Sequence, residues 1–267
     1  MTDNDVPPPL DAASLRDGLT GPGLQWRQLD VVERTGSTNA DLLARAAAGE
    51  DIAGAVLIAE QQTAGRGRNG RVWSSPGAQL TMSVGVDAGA LAPDAWGWLP
   101  LATGVAVVDA VAAVAGVEAG LKWPNDVLAG GRKLAGILTE VAAAQRFIVV
   151  GIGLNVTLRD DEVPDAEATS LRSLAAQQPD RAQLVRVLLD KLGTRIASWR
   201  AAGGADDGLI ADYRARSVTI GSAVRAILPG GRDVLGVASS IDEQGRLHID
   251  TDAGPVAVSA GDVVHLR

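Results

Sequence analysis

The most constraining feature of the sequence is a change of pattern at Ser217. Before this residue, apolar stretches of helical length alternate with short runs typical of β-strands. After it, short Val/Ile/Leu runs are separated by turn sequences such as Pro229–Gly231 and Glu243–Gly245. About fifty residues with this texture are typical of a small all-β barrel. We therefore predict a larger domain over residues 26–216 and a β module over residues 217–267.

The larger domain is predicted to be an α+β unit, with a mixed sheet covered by helices. The alternation in Leu80–Val86 indicates a strand with one buried face, and Trp96–Gly116 is apolar nearly all round, as in a core helix. A group of strands follows, with Gly130–Gly131 as a hairpin turn. Residues 182–200 and 206–216 have helical periodicity.

The N-terminal segment has a different composition. It is acidic and proline-rich and lacks the basic and apolar regions of a secretion signal, so residues 1–25 are predicted to form a flexible tail. The longest apolar run, Leu99–Val117, is interrupted by Gly104 and Asp109 and suits a buried helix better than a membrane span. These features predict a cytoplasmic protein that has no membrane partner.

Composition excludes several classes of function. With 24 Lys+Arg against 32 Asp+Glu, the net charge is −8, which is poorly suited to binding nucleic acid. The chain has no cysteine, so disulfides, Cys-ligated zinc and thiol nucleophiles are excluded. Its two histidines, His248 and His265, lie near the C-terminus, which excludes a Ser/His/Asp triad or a His-rich metal site in the larger domain. Chemistry is left to Arg, Lys, Asp, Asn and backbone amides.

The segment Gly65–Arg71 (GRGRNGR) concentrates positive charge in this acidic chain. Glycines let backbone amides approach a ligand, and arginines offer paired hydrogen bonds to carboxylate and phosphate. Repulsion between these two anions is the main obstacle to forming an acyl-adenylate, so the loop predicts ATP-dependent activation of a carboxylic acid. Taken alone, it also fits a solvated basic hairpin or an RNA-binding stretch.

A second cluster, Lys122–Asp126 (KWPND), follows a predicted strand. Asp126 could bind Mg²⁺ or align the attacking carboxylate, and Asn125 could contact phosphate or metal. A turn around a buried tryptophan explains the same five residues equally well.

Two strands carry glycines where a strand normally carries side chains. Gly136 follows Lys133 inside an apolar run and predicts close approach by another group, and Gly151–Asn155 (GIGLN) repeats the pattern. The second segment is similar to part of a dinucleotide-binding fingerprint, but its final glycine is missing and no helix follows. A Rossmann fold is therefore rejected.

Together these motifs resemble those of biotin protein ligases, in that family's order and spacing over roughly residues 30–160. The resemblance rests on Ser37–Asn39, Glu60–Trp73, Lys122–Asp126, Arg132–Gly136 and Gly151–Asn155. It implies a mixed α/β catalytic domain followed by an SH3-like domain. It also implies a two-step reaction in which biotin and Mg·ATP give biotinyl-5′-AMP. A lysine of a biotin carboxyl carrier domain then takes the biotinyl group.

The resemblance also assigns roles to individual residues. Those implied in biotin binding are Ser37, Thr38, Asn39, Gln62, Gly65, Arg66, Gly67, Arg68, Lys133 and Gly136. Those implied in ATP or AMP binding are Arg66, Arg68, Arg71, Trp73, Asn125, Lys133 and Asn155. The implied catalytic residues are Arg68, Lys133 and Asp126, and Asp126 with Asn125 could hold Mg²⁺.

Two departures from the family and two alternatives accompany this hypothesis. The ligase motifs begin near residue 30, so neither a DNA-binding domain nor a repressor function is implied. The segment Arg159–Ser170, which lies where the family closes over the adenylate, lacks an aromatic residue that some members have.

A lipoate ligase on the same fold is the nearest alternative, but lipoate ligases carry a different glycine-rich signature. An RNA-binding module would be basic and rich in exposed aromatics.

Overall fold

A computed structural model of the chain describes residues 8–73, 77, 79–142, 146–159 and 167–266. The strands of the larger sheet are β1 (Gln28–Thr35), β2 (Ala55–Gln62), β3 (Gln79–Asp87), β4 (Gly120–Lys122), β5 (Asp126–Ala129), β6 (Arg132–Val141) and β7 (Phe147–Asn155). The helices are α1 (Ala12–Arg16), α2 (Thr38–Ala47), α3 (Trp98–Ala115), α4 (Leu171–Leu174), α5 (Arg181–Ala202) and α6 (Asp207–Arg216). Short 3₁₀ turns span Arg68–Gly70 and Pro93–Gly97.

The larger sheet has seven strands in the order β1-β2-β3-β7-β6-β5-β4. β1 and β2 run parallel, joined through α2, and the remaining neighbours are antiparallel. The predicted mixed sheet with helices is thereby confirmed. Gly130 and Gly131, with φ of 56° and 75°, form the tight turn between β5 and β6, a conformation that glycine adopts without steric cost.

The core lies between this sheet and α3, which also packs against α5 and α6. Because α3 has neighbours on both sides, it is apolar nearly all round and most of its residues are buried. The stretch Pro93–Ala115 is long and apolar enough to cross a membrane, but 67% of its most apolar window is buried inside the fold. That burial matches the core helix predicted from the sequence.

The N-terminal segment differs from the predicted flexible tail. Residues 1–7 lie outside the described residues, but α1 is folded against β1, and Leu15 within it is completely buried. Asp11 caps this helix by accepting a hydrogen bond from the backbone of Ala13. The backbone N–H of Leu10 donates to Glu60 at 2.6 Å. The prediction is therefore wrong for residues 8–25, because two leucines and a helix cap anchor them.

The C-terminal strands are β8 (Ala223–Ile227), β9 (Asp233–Ile241), β10 (Leu247–Thr251), β11 (Gly254–Val258) and β12 (Asp262–His265). They form one antiparallel sheet in the order β11-β10-β9-β8-β12, in agreement with the predicted SH3-like module. Indole N–H groups fix this sheet to the larger domain: Trp98 Nε1 donates to Asp242 O at 2.9 Å, and Trp123 Nε1 donates to Gly245 O at 3.0 Å. The module is thus held directly against the KWPND segment.

Candidate functional site

A cavity of about 360 Å³ lies where the glycine–arginine loop, the β4–β5 hairpin and the C-terminal module meet. Strands β6 and β7 contribute to its lining, and so do the start of α2 and the beginning of β12. The lining contains most of the residues that the sequence indicated. These are Ser37, Thr38, Asn39, Gln62, Arg66, Gly67, Arg68, Arg71, Trp73, Asn125, Asp126, Lys133 and Gly136.

One wall of the cavity is polar and buried, and we name it the head-group wall. Ser37, Thr38, Asn39 and Gln62 line the cavity, and Ser83 belongs to the wall through its hydrogen bonds to Thr38 and Asn39 from behind. Ser37 caps α2, and the first residues of this helix face the cavity. Gln62 Oε1 accepts hydrogen bonds from Thr38 N and Thr38 Oγ1 at 2.8 and 3.0 Å. Buried side chains that are fixed in this way offer donors and acceptors of defined direction to a small polar ring.

Ser83, on β3, is the member of this wall that sequence reasoning missed. It is completely buried, and its hydroxyl is hydrogen-bonded to Thr38 Oγ1 and Asn39 Oδ1, each at 2.6 Å. Ser83 belongs to the polar register of β3, which the sequence placed opposite the buried face, but the structure buries both faces of this strand. A buried hydroxyl requires hydrogen-bond partners, which predicts a polar cluster on that side of the sheet.

The glycine–arginine loop is a closed hairpin. Trp73 N donates to Gly65 O at 2.8 Å, and Gly67 N donates to Arg71 O at 2.7 Å. Asn69 sits at the tip with a φ of 55°, a left-handed conformation that asparagine tolerates better than most residues. The closed ends orient the loop's arginine side chains.

Each arginine of the loop contacts a different element. Arg66 forms an ion pair with Glu140 on β6 at 3.2 Å. Arg68 Nη1 donates to Asn125 Oδ1 at 2.9 Å, and Arg71 pairs with Asp262 on β12. Neither Glu140 nor Asp262 was indicated by the sequence. The loop is therefore held to the larger sheet, the KWPND segment and the C-terminal module at once.

Positive charge is concentrated where Lys133 meets this loop. Lys133 Nζ lies 2.6 Å from Asp126 Oδ1 and 5.8 Å from the centre of the Trp73 ring. Burial lowers the pKa of the Arg68 guanidinium, an effect that the carboxylates of Asp262 and Asp126 oppose. Arginine nevertheless remains protonated at neutral pH, so a partly desolvated cation faces the cavity.

The strand glycines leave room for side chains of the protein itself. A Cβ on Gly153 would lie 2.4 Å from the Trp73 ring, and one on Gly136 would lie 3.2 Å from it. A Cβ on Gly151 would lie 2.3 Å from Asn39 Oδ1. The close approach predicted for these strands is therefore made by Trp73 and Asn39.

Two residues assigned to ligand binding lie elsewhere. Asn155 is buried outside the cavity lining, and its Nδ2 donates to Thr169 O at 2.9 Å. Its implied role in ATP or AMP binding stays a prediction, and its Nδ2 group holds the following segment. Gly65 is also absent from the lining and serves the loop's own hairpin.

The segment predicted to close over the adenylate, Arg159–Ser170, lies largely outside the described residues, which omit 160–166. Its described C-terminal part is attached to Lys133. Lys133 N donates to Glu167 O at 2.6 Å, and Thr169 N donates to Lys133 O at 2.9 Å. The backbone of Lys133 is thus fixed independently of its side chain.

The C-terminal module also supports the KWPND segment through a titratable contact. Thr219 Oγ1 accepts from Trp123 N at 3.0 Å and lies 3.1 Å from His265 Nε2. Burial, with a smaller effect of Lys122, lowers the pKa of His265 below its ordinary value of 6.5. The folded protein therefore favours neutral His265.

This contact predicts a pH dependence of stability. Because the unfolded chain binds the proton more readily, the contribution of His265 is complete above about pH 6.5 and is lost as the pH falls below that value. His265→Gln retains an acceptor but does not titrate. We expect its Tm to fall less than that of the wild type between about pH 7.5 and 5.5, measured by circular dichroism. Parallel Tm curves for the two proteins would contradict this expectation.

Comparison with known proteins agrees with this geometry. Residues 31–156 match the Biotin/lipoate A/B protein ligase family, and residues 219–266 match the Biotin protein ligase C terminal domain. A biotin--[acetyl-CoA-carboxylase] ligase of Mycobacterium tuberculosis is 60% identical over 272 residues, which cover 100% of both chains.

Solved structures give the same result. A biotin protein ligase from Aquifex aeolicus in complex with biotin and ATP is 25% identical, with a TM-score of 0.78 over 91% of this chain and 100% of that one. A Leishmania major biotin protein ligase in complex with biotinyl-5-AMP is 26% identical, with a TM-score of 0.60 over 90% and 99% of the two chains. The chain therefore belongs to the biotin protein ligase family.

Proposed function

We propose that this protein activates biotin with ATP and transfers the biotinyl group to a lysine of a biotin carboxyl carrier domain in the cytoplasm. One observation carries the proposal: the polar residues of the head-group wall and the cationic side chains of Arg66, Arg68, Arg71 and Lys133 line the same cavity. The wall suits the uncharged ring system of biotin. The cations suit the carboxylate and phosphates that must meet at its other end.

In the first step, a biotin carboxylate oxygen attacks the α-phosphorus of ATP. The bond to the bridging oxygen breaks, pyrophosphate leaves, and biotinyl-5′-AMP remains. Arg66 and Arg68 lie along the carboxylate and α-phosphate, where they reduce the repulsion between the two anions. Trp73 packs near the adenine, and its indole N–H has no hydrogen-bond partner among the described residues.

Lys133 is the cation assigned to the reacting atoms. Its ion pair with Asp126 holds Nζ inside the cavity, from which it bridges the biotin carboxylate and the α-phosphate. Negative charge grows on the phosphate oxygens in the transition state, so a fixed ammonium group stabilises the transition state more than the bound substrates. Asp126 thereby acts in the first step by positioning Lys133.

Magnesium accompanies ATP in this proposal. In the part of the chain that the structure describes, no group of three His, Cys, Asp or Glu side chains could hold a metal ion. Asp126 together with Asn125 fits an ion bound chiefly through ATP phosphates and water, as Mg²⁺ commonly is. Bound there, Mg²⁺ would neutralise phosphate charge.

In the second step, the uncharged ε-amino group of the carrier lysine attacks the carbonyl carbon of the mixed anhydride. AMP leaves with the electrons of the bond between the carbonyl carbon and the phosphate oxygen, and the amine passes one proton to solvent water as the amide forms. Asp126 lines the cavity, where its carboxylate can accept a hydrogen bond from the incoming amine. The carrier domain remains outside the cavity, because only a side chain enters it.

Isotope exchange tests the first step. The purified protein should exchange labelled pyrophosphate into ATP when biotin is present, and should not do so with lipoate, because the head-group wall is polar and defined. Exchange that requires lipoate and ignores biotin would contradict the choice of acid. Transfer is then measured as ATP-dependent incorporation of labelled biotin into a carrier domain, with a Lys→Arg carrier as the control.

A further inference from the structure

Glu140 on β6 touches two separate parts of the site. Its Oε2 accepts a hydrogen bond from Asn39 Nδ2 at 2.8 Å, in the head-group wall. The same oxygen accepts from Arg66 Nη2 at 3.3 Å, and Oε1 lies 3.2 Å from that nitrogen. One carboxylate therefore joins the wall to the glycine–arginine loop.

The contact with Asn39 is part of a continuous chain of hydrogen bonds. Asn39 Nδ2 also donates to Leu138 O at 3.1 Å, and its Oδ1 accepts from Ser83, which is bonded in turn to Thr38. The two acceptors of Nδ2 fix the orientation of the amide. The chain runs from Thr38, through Ser83, Asn39 and Glu140, to Arg66.

The geometry of Arg66 argues that Glu140 orients this side chain and leaves it available to a substrate. Both carboxylate oxygens approach a single guanidinium nitrogen, Nη2, and no contact of Nη1 or Nε occurs among the described residues, so that side of the guanidinium can bind another anion. The Arg66 side chain is 46% exposed, so without this contact little else would hold it at the cavity.

We propose that Glu140 is a positioning residue that couples the head-group wall to Arg66. Occupation of the wall by the biotin ring stabilises Asn39 and Glu140, and Glu140 then presents Arg66 to the biotin carboxylate. The inference rests on the proposed function, because it assigns Arg66 to that carboxylate. It goes beyond that function because it states how recognition of the biotin ring is connected to the position of Arg66 in the glycine–arginine loop.

Glu140→Gln separates the two contacts. The amide oxygen can still accept from Asn39, but the negative charge that holds Arg66 is removed. We therefore compare the dissociation constants of biotin and biotinamide, in which a neutral amide replaces the carboxylate. Biotin should bind about tenfold more weakly to the variant, the usual effect of losing a hydrogen bond between charged groups. Biotinamide should bind within about twofold of its wild-type affinity, because it makes no ionic contact with Arg66.

Two further variants complete the series. Glu140→Ala removes both contacts and should weaken the binding of both ligands, with the larger loss for biotin, because only biotin also loses the ionic contact with Arg66. Asp30→Asn is the matched control, because the Asp30 side chain has the same 26% exposure as Glu140 and pairs with Arg45 away from the cavity. It should leave both affinities unchanged. In the exchange reaction, Glu140→Gln should raise KM for biotin more than it lowers kcat.

The outcomes distinguish the inference from the proposed function. If Glu140→Gln weakens both ligands equally, Glu140 supports only the wall, and coupling is refuted. Unchanged or tighter binding of biotin also refutes it, since tighter binding would make Glu140 a competitor for Arg66. A wild-type protein without biotin-dependent exchange instead refutes the proposed function, whatever the variants do.

Discussion

Lys133→Ala should lower kcat/KM for biotin-dependent pyrophosphate exchange by about a thousandfold, the upper range for removal of one transition-state electrostatic contact. Nζ is the cation assigned to both reacting anions, and its position is set by Asp126 at 2.6 Å. The backbone of residue 133 keeps its hydrogen bonds to residues 167 and 169, so the strand should form without the side chain.

Stability decides whether this lysine is catalytic or structural. The Lys133 side chain is 34% exposed, and an ion pair of this kind contributes about 1 kcal/mol or less. We expect a Tm within about 4 °C of the wild type. Lys191→Ala, an exposed position on α5 with the same charge change, should retain both Tm and activity. A Tm that fell in proportion to activity would make Lys133 a structural residue.

The sequence predicted the parts of the site that form continuous motifs. The loop, the KWPND segment and Lys133 were identified because each contains several informative residues within a few positions. Their meeting in one cavity confirms the resemblance that named the family, although the role of each residue remains a proposal. The mixed sheet was predictable because strand alternation and turn glycines are local signals.

The residues that the sequence did not indicate act through tertiary contacts. Ser83 and Glu140 lie outside the motifs that the sequence indicated, and Asp262 is nearly two hundred residues from Arg71, its partner. An acidic side chain at a strand end is usually a solvated charge. Asp262 belongs to the site only because β12 lies next to the glycine–arginine loop.

For the strand glycines, the sequence predicted a close contact but not the residue that makes it. Gly136 and the GIGLN segment were correctly expected to admit a close neighbour, but the pattern could not say which one. The neighbours are Trp73 and Asn39, from elements far away in sequence. Asn155 was implied in ATP or AMP binding through the motif alone, and the sequence could not show that its Nδ2 donates to Thr169 O.

Gly151→Ala should weaken biotin binding by about a hundredfold or more. Displacing Asn39 should cost the head-group wall two or more of the buried hydrogen bonds that hold it ready for the biotin ring. The new Cβ would lie 2.3 Å from Asn39 Oδ1 and 2.9 Å from its Cγ, so the side chain must leave its place. Moving it breaks the bonds to Ser83, Leu138 and Glu140 together. Stability should fall by about 1–3 kcal/mol, the usual cost of overpacking.

A control and a rescue variant separate binding from folding in this experiment. At Gly204 a Cβ would meet only Ala95 Cβ at 3.6 Å, so Gly204→Ala should change neither Tm nor affinity. Adding Asn39→Ser to Gly151→Ala shortens the clashing side chain and should restore most of the Tm. Biotin affinity, measured by calorimetry, should remain low, because the amide that the wall and Glu140 share is gone. Recovery of affinity together with Tm would show that Asn39 only fills space, and would remove it from the head-group wall.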